Sequence, residues 1–169
     1  MDYKNLGLLK SFARKYFRNR VSDNLVILDV GSKDEMKSRK NMIFRRYFKN
    51  PNWKYIGVDL VPGSNVDIIL DDPYNYPFED SFFNLVICAS VLEHEANPIR
   101  LIRELLRITK EYLVILVPWN RPKHDYPLDY WRMSPEALEH FVTEFGNFKC
   151  LESGILGRDS YIIAQKIRR

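Results

Sequence analysis

Cysteine is scarce in this chain, glycine is thin, and no long apolar run occurs. Cys88 and Cys150 stand far apart and form no metal-ligand cluster, and Cys88 lies inside an apolar run, where a thiol is a packing group. No metal site is expected. No stretch approaches the roughly 20 apolar residues that a membrane-spanning helix requires. Lys10, Arg14 and Lys15 interrupt what would have to be the apolar core of an export signal. The chain is therefore read as soluble and cytoplasmic. Repeats, low-complexity segments and interdomain linkers are also missing, which leaves one domain over residues 1–169, long enough to bury a substantial core.

Hydrophobic residues make up 46% of the chain and charged residues 28%, the balance of a globular protein rather than a disordered tail. The net charge of +4 conceals an uneven distribution. Residues 1–54 hold 14 Lys and Arg against 5 Asp and Glu, whereas the remainder holds 12 against 17. Such a basic third could face phosphates, an anionic surface or nucleic acid. Two solvated helix faces that happen to be basic explain it as well, and that plainer reading is preferred.

Leu9, Phe12, Ala13, Tyr16 and Phe17 recur at helical spacing among lysines and arginines, so residues 1–22 hold an amphipathic helix. It either packs its stripe on a sheet or lies on a membrane surface. NLVILDVG reads as a buried strand. EMKSRKNMIFRRYFKN reads as a helix that stops before Pro51, with Met36, Ile43, Phe44 and Tyr47 inward. WKYIGVDL is a second strand and NVDIIL a short third. After the proline- and acid-rich loop DDPYNYPFEDSF comes a fourth, FNLVICASVL, whose apolar run fits a sheet centre covered on both faces. NPIRLIRELLRIT is a helix with Pro98 in its first turn, and EYLVILVP a fifth strand closed by Pro118. SPEALEHFVTEFG is a helix capped by Ser134, with Pro135 at its first position and Gly146 at its end. FKCLESGIL and RDSYIIAQKI close the chain as an antiparallel pair. Together these predict an α/β protein with a Rossmann-like, doubly wound, mostly parallel sheet, a C-terminal antiparallel hairpin and three α/β/α layers.

In open sheets of this kind ligands bind beyond the carboxyl ends of the strands, near the point where strand order reverses. Every strand end here carries chemistry: Asp29, Gly31 and Ser32 after the first, Asp59 at the second, Asp71 and Asp72 after the third. Ser90, Glu93 and His94 follow the fourth, and Trp119 through Arg132 the fifth. Acids after three successive strands suit a polar ligand with several donors. Gly31 allows a tight turn and a close backbone approach, with the amides of the next helix at hand. The further glycines of a dinucleotide fingerprint are absent, their slots filled by Lys33 and Glu35, and so is the Gly-Lys-Ser/Thr of a Walker-type loop. Asp59 could accept both hydroxyls of a ribose or be a simple turn acid.

The ordered blocks VILDVGS, YIGVDL, VDIILDDPYNYPFEDSFFNLVICASVLEH, NPIRLIRELLRI and YLVILVPWNRPKHDYPLDYWRMSPEALEHF resemble the class I S-adenosylmethionine-dependent methyltransferases. The resemblance is to the compact methyltransferase-domain group and covers about residues 25–150. It implies S-adenosylmethionine as cofactor. By this resemblance Asp29 would orient the methionine amino group, directly or through water, and Gly31 and Ser32 would let the backbone pass beside the methionine part. Asp59 would hold the ribose hydroxyls, with Leu60 against the adenine and Asp72 by its edge. Ala89 and Ser90 would floor the site near the sulfonium. Lys33 departs from the family's glycine run. Its side chain either turns outward, leaving its backbone to face the cofactor, or crowds the site, and the outward orientation is expected.

Methyl transfer from a sulfonium is a direct displacement, in which the protein aligns the nucleophile and helps remove a proton from a hydroxyl acceptor. Histidine has a suitable intrinsic pKa for that task. His140 falls within the last helix and reads as a surface or packing residue. His124, on the loop where an acceptor would enter, is the first candidate base, and His94, beside the expected cofactor, the second. Tyr126, Asp129, Tyr130, Trp131 and Arg132 would bind the acceptor, the rings stacking on a sugar face and Arg132 clamping a phosphate or carboxylate. A structural lid, with Tyr130 and Trp131 buried and Arg132 paired to a local acid, accounts for the same residues. The H-YP-DYWR-SPEAL pattern is similar to methyltransferases found among saccharide-modifying proteins. The leading expectation is an enzyme that methylates a small-molecule or glycan acceptor at oxygen. A nucleic-acid methyltransferase with a basic phosphate track comes second, disfavoured by the lack of an NPPY-like or paired-cysteine block. A non-catalytic scaffold of the same fold is third.

Overall fold

Phe83–Ala89 is buried at every position, and this strand, β4, occupies the centre of the sheet. The computed structural model describes residues 3–33, 44–124 and 128–167. Around β4 run β1 (Leu25–Val30), β2 (Trp53–Asp59), β3 (Ile68–Ile69), β5 (Thr109–Pro118), β6 (Phe148–Leu156) and β7 (Asp159–Lys166). Their order is β3-β2-β1-β4-β5-β7-β6. The first five are parallel, β7 runs antiparallel to β5, and β6 closes the edge antiparallel to β7. The mostly parallel sheet with its terminal hairpin is as expected from the sequence.

Both faces of the sheet are covered, which is why the central strands read as continuous apolar runs. Leu28, Val30, Val86 and Cys88 point to the face packed by α2 (Pro98–Ile108) and α3 (Pro135–Phe145). Ile27, Leu85 and Ile87 point to the other face, where Leu9 and Phe12 of α1 (Tyr3–Tyr16) meet Phe17, Phe44 and Phe48. The apolar stripe of α1 is thus spent on the sheet, and Lys15 is paired with Glu152 on β6. Asn97 accepts from the Arg100 amide at 3.2 Å to start α2, and Ser134 accepts from the Ala137 amide at 3.2 Å to start α3.

One expectation needs correction. The third strand is only two residues long rather than spanning NVDIIL, because Asn65 and Asp67 turn their side chains to cross-loop work. The Asp67 carboxylate accepts from the Gly57 amide at 2.7 Å and pairs with Arg45. Most of the helix expected over EMKSRKNMIFRRYFKN lies outside the described residues. Its described end, Phe44–Tyr47, is a 3-10 turn that buries Phe44.

The loop between β3 and β4 is clamped by one arginine. Arg107 on α2 donates to Glu104 at 2.6 and 2.8 Å, to Asp80 at 2.7 Å and to the carbonyls of Phe78 and Tyr76 at 2.8 and 3.2 Å. Buried Glu104 also accepts from the Tyr76 amide at 2.7 Å. Truncating Arg107 strands that carboxylate. Arg107→Ala is expected to cost about 1–3 kcal/mol in urea unfolding, and Glu104→Gln less, because the amide keeps an acceptor for Tyr76 without a buried charge.

Candidate functional site

Strand order reverses between β1 and β4, and there the two following loops touch. Gly31 has φ of +70°, and a Cβ on it would stand 2.3 Å from Val91 Cγ2. Conformation and contact both demand glycine there. The amides of Gly31 and Ser32 donate to the Val58 carbonyl at 2.9 and 3.0 Å. The Lys33 amide donates to Asp59 Oδ2 at 3.1 Å, and Asp59 Oδ1 accepts from Val61 at 3.2 Å. A loop with one glycine is therefore held by the end of β2, and the Asp59 carboxylate is aimed by two backbone donors. Exposed Leu60 adjoins it.

Ser32 is buried, with its hydroxyl donating to the Asn65 carbonyl while the Asn65 amide returns a bond to the Ser32 carbonyl, each 3.1 Å. This exchange fits because β2 carries Gly57, where a Cβ would come within 2.2 Å of the Asn65 oxygen. Lys33 packs on the neighbouring loop. It is half-buried against Gly63, with its Cγ 2.7 Å from where a Gly63 Cβ would lie.

Asp29 is buried on β1 and accepts from the Tyr55 hydroxyl at 2.7 Å. Burial pushes its pKa up to about 7, against the lowering pull of Tyr55 and of Arg45, while Asp59 raises it further. Arg45 organises the floor beneath the loop, donating to Asn65 Oδ1 at 3.0 Å, pairing with Asp67 and lying 4.9 Å from the Tyr55 ring centroid. No local pattern in the chain marks this network. Asp72 accepts from the Tyr74 amide at 2.7 Å in the loop after β3. Ala89 is buried at the end of β4, and Ser90 takes φ of 56°, a left-handed conformation that costs roughly 1–3 kcal/mol and clusters at working sites.

One strand further on, the loops after β4 and β5 meet. Glu93, in the 3-10 turn Leu92–His94, is 1% exposed, and among the described residues neither carboxylate oxygen has a hydrogen-bond partner. His94 Nδ1 lies 2.8 Å from the Leu128 carbonyl. A carbonyl only accepts, so Nδ1 carries the proton and Nε2 presents its lone pair to Glu93 Oε1, 3.6 Å away. The rings of His94 and His124 are 4.9 Å apart between centroids. Burial pushes the Glu93 carboxyl up to about 8 and lowers the His94 imidazole. The two candidate bases therefore share one site, which also holds an acid to which the sequence reading gave no role. His140 is exposed on α3, away from them.

The acceptor-loop residues divide. Arg132 is paired with Asp129, donating to Oδ2 at 2.6 Å, and holds that carboxyl well below the usual range. Asp129 Oδ2 also accepts from the His124 amide at 2.9 Å. These two residues are thus engaged with the loop itself, as the lid reading requires. The rings of Tyr130 and Trp131 are exposed, which the lid reading did not expect. Backbone and indole tie them down instead: the Tyr130 amide donates to the Glu93 carbonyl at 2.7 Å, and Trp131 Nε1 to the Glu95 carbonyl at 2.8 Å. Tyr126 lies outside the described residues. A separate groove of about 560 Å³ opens at the opposite end of the strands, but Arg20 and Glu111 in its wall are paired with each other at 2.6 Å.

A family model described as a methyltransferase domain matches residues 40–115. Comparison with curated proteins finds no match. Among solved structures, the chain is similar to 1,6-didemethyltoxoflavin-N1-methyltransferase of Burkholderia thailandensis, solved with bound 1,6-didemethyltoxoflavin and S-adenosylhomocysteine. The TM-score is 0.70 at 13% identity, over 96% of this chain and 78% of that one. A methyltransferase from Aquifex aeolicus described as SAM-dependent aligns over 99% of this chain and 100% of its own, with a TM-score of 0.62 and 14% identity. The [4+2]-cyclase SpnF aligns over 89% and 79%, with a TM-score of 0.63 and 15% identity. The strand order, the match over residues 40–115 and these neighbours together give the chain the class I S-adenosylmethionine-dependent methyltransferase fold.

Proposed function

We propose that the chain binds S-adenosylmethionine over the carboxyl ends of β1, β2 and β4 and transfers its methyl group to a hydroxyl of a small-molecule or saccharide-linked acceptor. The observation that carries this reading is the convergence of His94 and His124, with centroids 4.9 Å apart, one strand from the switch point where Gly31 meets Val91. On this reading Asp59, aimed by the amides of Lys33 and Val61, takes the ribose hydroxyls, with Leu60 on the adenine and Asp72 at its edge. Asp29 faces the methionine ammonium, Gly31, Ser32 and Lys33 form the wall, and Ala89 and Ser90 the floor. The demethylated cofactor in the Burkholderia structure supports the choice of ligand.

His124 is the group placed to meet an acceptor, because its ring is 44% exposed whereas His94 is tied to Leu128. The exposed rings of Tyr130 and Trp131 offer stacking faces to a sugar, and Asp129 and Arg132 hold that loop in place. The nucleic-acid reading is weaker, since Lys15, Arg20 and Arg45 of the basic third are paired with Glu152, Glu111 and Asp67. The cyclase neighbour shows that the fold also serves other chemistry, so turnover is the deciding measurement. Free thiols at Cys88 and Cys150 suit a reducing compartment, in keeping with a cytoplasmic enzyme, and no helix among the described residues is long and apolar enough to cross a membrane.

Calorimetric titration with S-adenosylmethionine and its demethylated product tests the cofactor. Asp59→Ala should weaken binding by about 1.5–3 kcal/mol through lost charge-assisted hydrogen bonds. Silence of the wild type at millimolar ligand would exclude the enzyme. His124→Ala should lower turnover roughly 10²–10⁴-fold with cofactor affinity unchanged.

The buried carboxyl of Asp29 gives a second test, through pH. Its folded pKa of about 7 lies above the ordinary carboxyl value, so the folded chain binds the extra proton between about pH 4 and 7. Stability of the ligand-free protein should fall as pH rises through that window, by at most about 1.4 kcal/mol per unit from this group. Cofactor binding should strengthen over the same window, because an ammonium prefers the ionised carboxylate. Asp29→Asn should flatten both profiles, as measured by denaturation and titration at several pH values.

A further inference from the structure

Glu93 is a buried carboxyl group without the usual company. Its carboxylate oxygens find no hydrogen-bond partner among the described residues, although a buried carboxylate ordinarily takes a cation or several donors. The guanidiniums of the neighbouring loop, Arg121 and Arg132, are committed to Asp159 and Asp129. What faces Glu93 is histidine. His94 spends its Nδ1 proton on Leu128 and turns the Nε2 lone pair toward Glu93 Oε1 at 3.6 Å. One ligand atom each from Glu93, His94 and His124 lies within 4.8 Å of the other two. A carboxylate and an imidazole lone pair aimed at one space are both acceptors. Only a proton or a cation satisfies both at once.

We propose that Glu93, His94 and His124 bind one divalent first-row transition-metal ion, with zinc the best fit to the donor set. Two imidazoles and a carboxylate suit zinc, whereas magnesium and calcium select oxygen ligands throughout. Ligand bonds of about 2.0–2.2 Å need the three atoms closer together than they stand. His124 supplies the adjustment, since its ring is 44% exposed on a segment without regular secondary structure. The outer partners are in place. The Leu128 carbonyl fixes the tautomer and orientation of His94, and Asp129 Oδ2 stands 3.9 Å from His124 Nε2. Three protein ligands leave a coordination position open toward the solvent side of His124, as in catalytic rather than structural sites.

The use of this site rests on the acceptor reading given above; metal binding itself does not. An acceptor hydroxyl in the open position becomes more acidic and loses its proton to bulk water. Its oxygen then bonds the methyl carbon as the carbon–sulfur bond breaks, the electron pair remaining on sulfur as the thioether. In this form the two histidines act as ligands rather than bases.

The full-length protein, stripped with chelator, is titrated with zinc by equilibrium dialysis and with cobalt(II) by visible absorption. One equivalent of zinc per chain is expected, with cobalt d–d bands of a four- or five-coordinate site. Glu93→Gln and His124→Ala should each weaken zinc binding at least about tenfold. His140→Ala should bind as the wild type does. His124→Ala decides the matter because its exposed loop position leaves the fold intact, as a thermal melt would verify. No stoichiometric zinc on the folded wild type, or wild-type affinity in folded His124→Ala, overturns the site. Titration of the same samples with S-adenosylmethionine keeps the two readings apart. Zinc without cofactor binding removes the enzyme and keeps the metal site; cofactor without zinc does the reverse.

Discussion

Burial of β4 on both faces sets the terms for everything else in this molecule. With α1 on one side and α2 and α3 on the other, neither surface of the central sheet is open to a ligand. Because β1 to β5 run parallel, their carboxyl ends share one edge, where the hydrogen-bond ladder stops and polar side chains become tolerable. Asp29, Asp59 and Glu93 stand at that edge. Two of them, Asp29 and Glu93, are nevertheless buried, so the edge stores electrostatic cost that a cationic ligand would relieve.

The edge is also mechanically connected. Val91 sits on Gly31, the amides of Gly31 and Ser32 bond to Val58, and the Lys33 amide holds Asp59. The loops after β1, β2 and β4 therefore form one packed unit. The loop after β5 joins it through the Tyr130 and Trp131 bonds to Glu93 and Glu95. The single glycine of the first loop is explained by this packing as much as by any ligand.

Legibility in the sequence followed the range of the interactions. The strands showed because apolar runs record burial on two faces, and α3 showed because Ser134, Pro135 and Gly146 act within a few residues of themselves. The strand-end acids showed for the same local reason. Contacts across loops did not. Arg45, Asn65 and Asp67 look like ordinary surface residues until the fold lays them under Asp29 and Tyr55. Glu93 showed as a strand-end acid but not as a buried one, since nothing adjacent in the chain reports that its carboxylate is enclosed. His94 and His124 were legible separately but not as a pair, because 4.9 Å between rings on different loops leaves no trace in spacing. The contact of Lys33 with Gly63 was not legible because Gly63 comes from another loop.

The segment from Leu128 to Arg132 alternates between anchored and outward positions. Asp129 is buried and paired with Arg132, while Leu128, Tyr130 and Trp131 carry exposed side chains held by their backbones or by an indole nitrogen. The outward side chains can therefore drift under selection while the anchors keep the loop's path. A lineage carrying this arrangement can change what it recognises without first paying in stability, and divergent descendants should differ at the outward positions before the anchors.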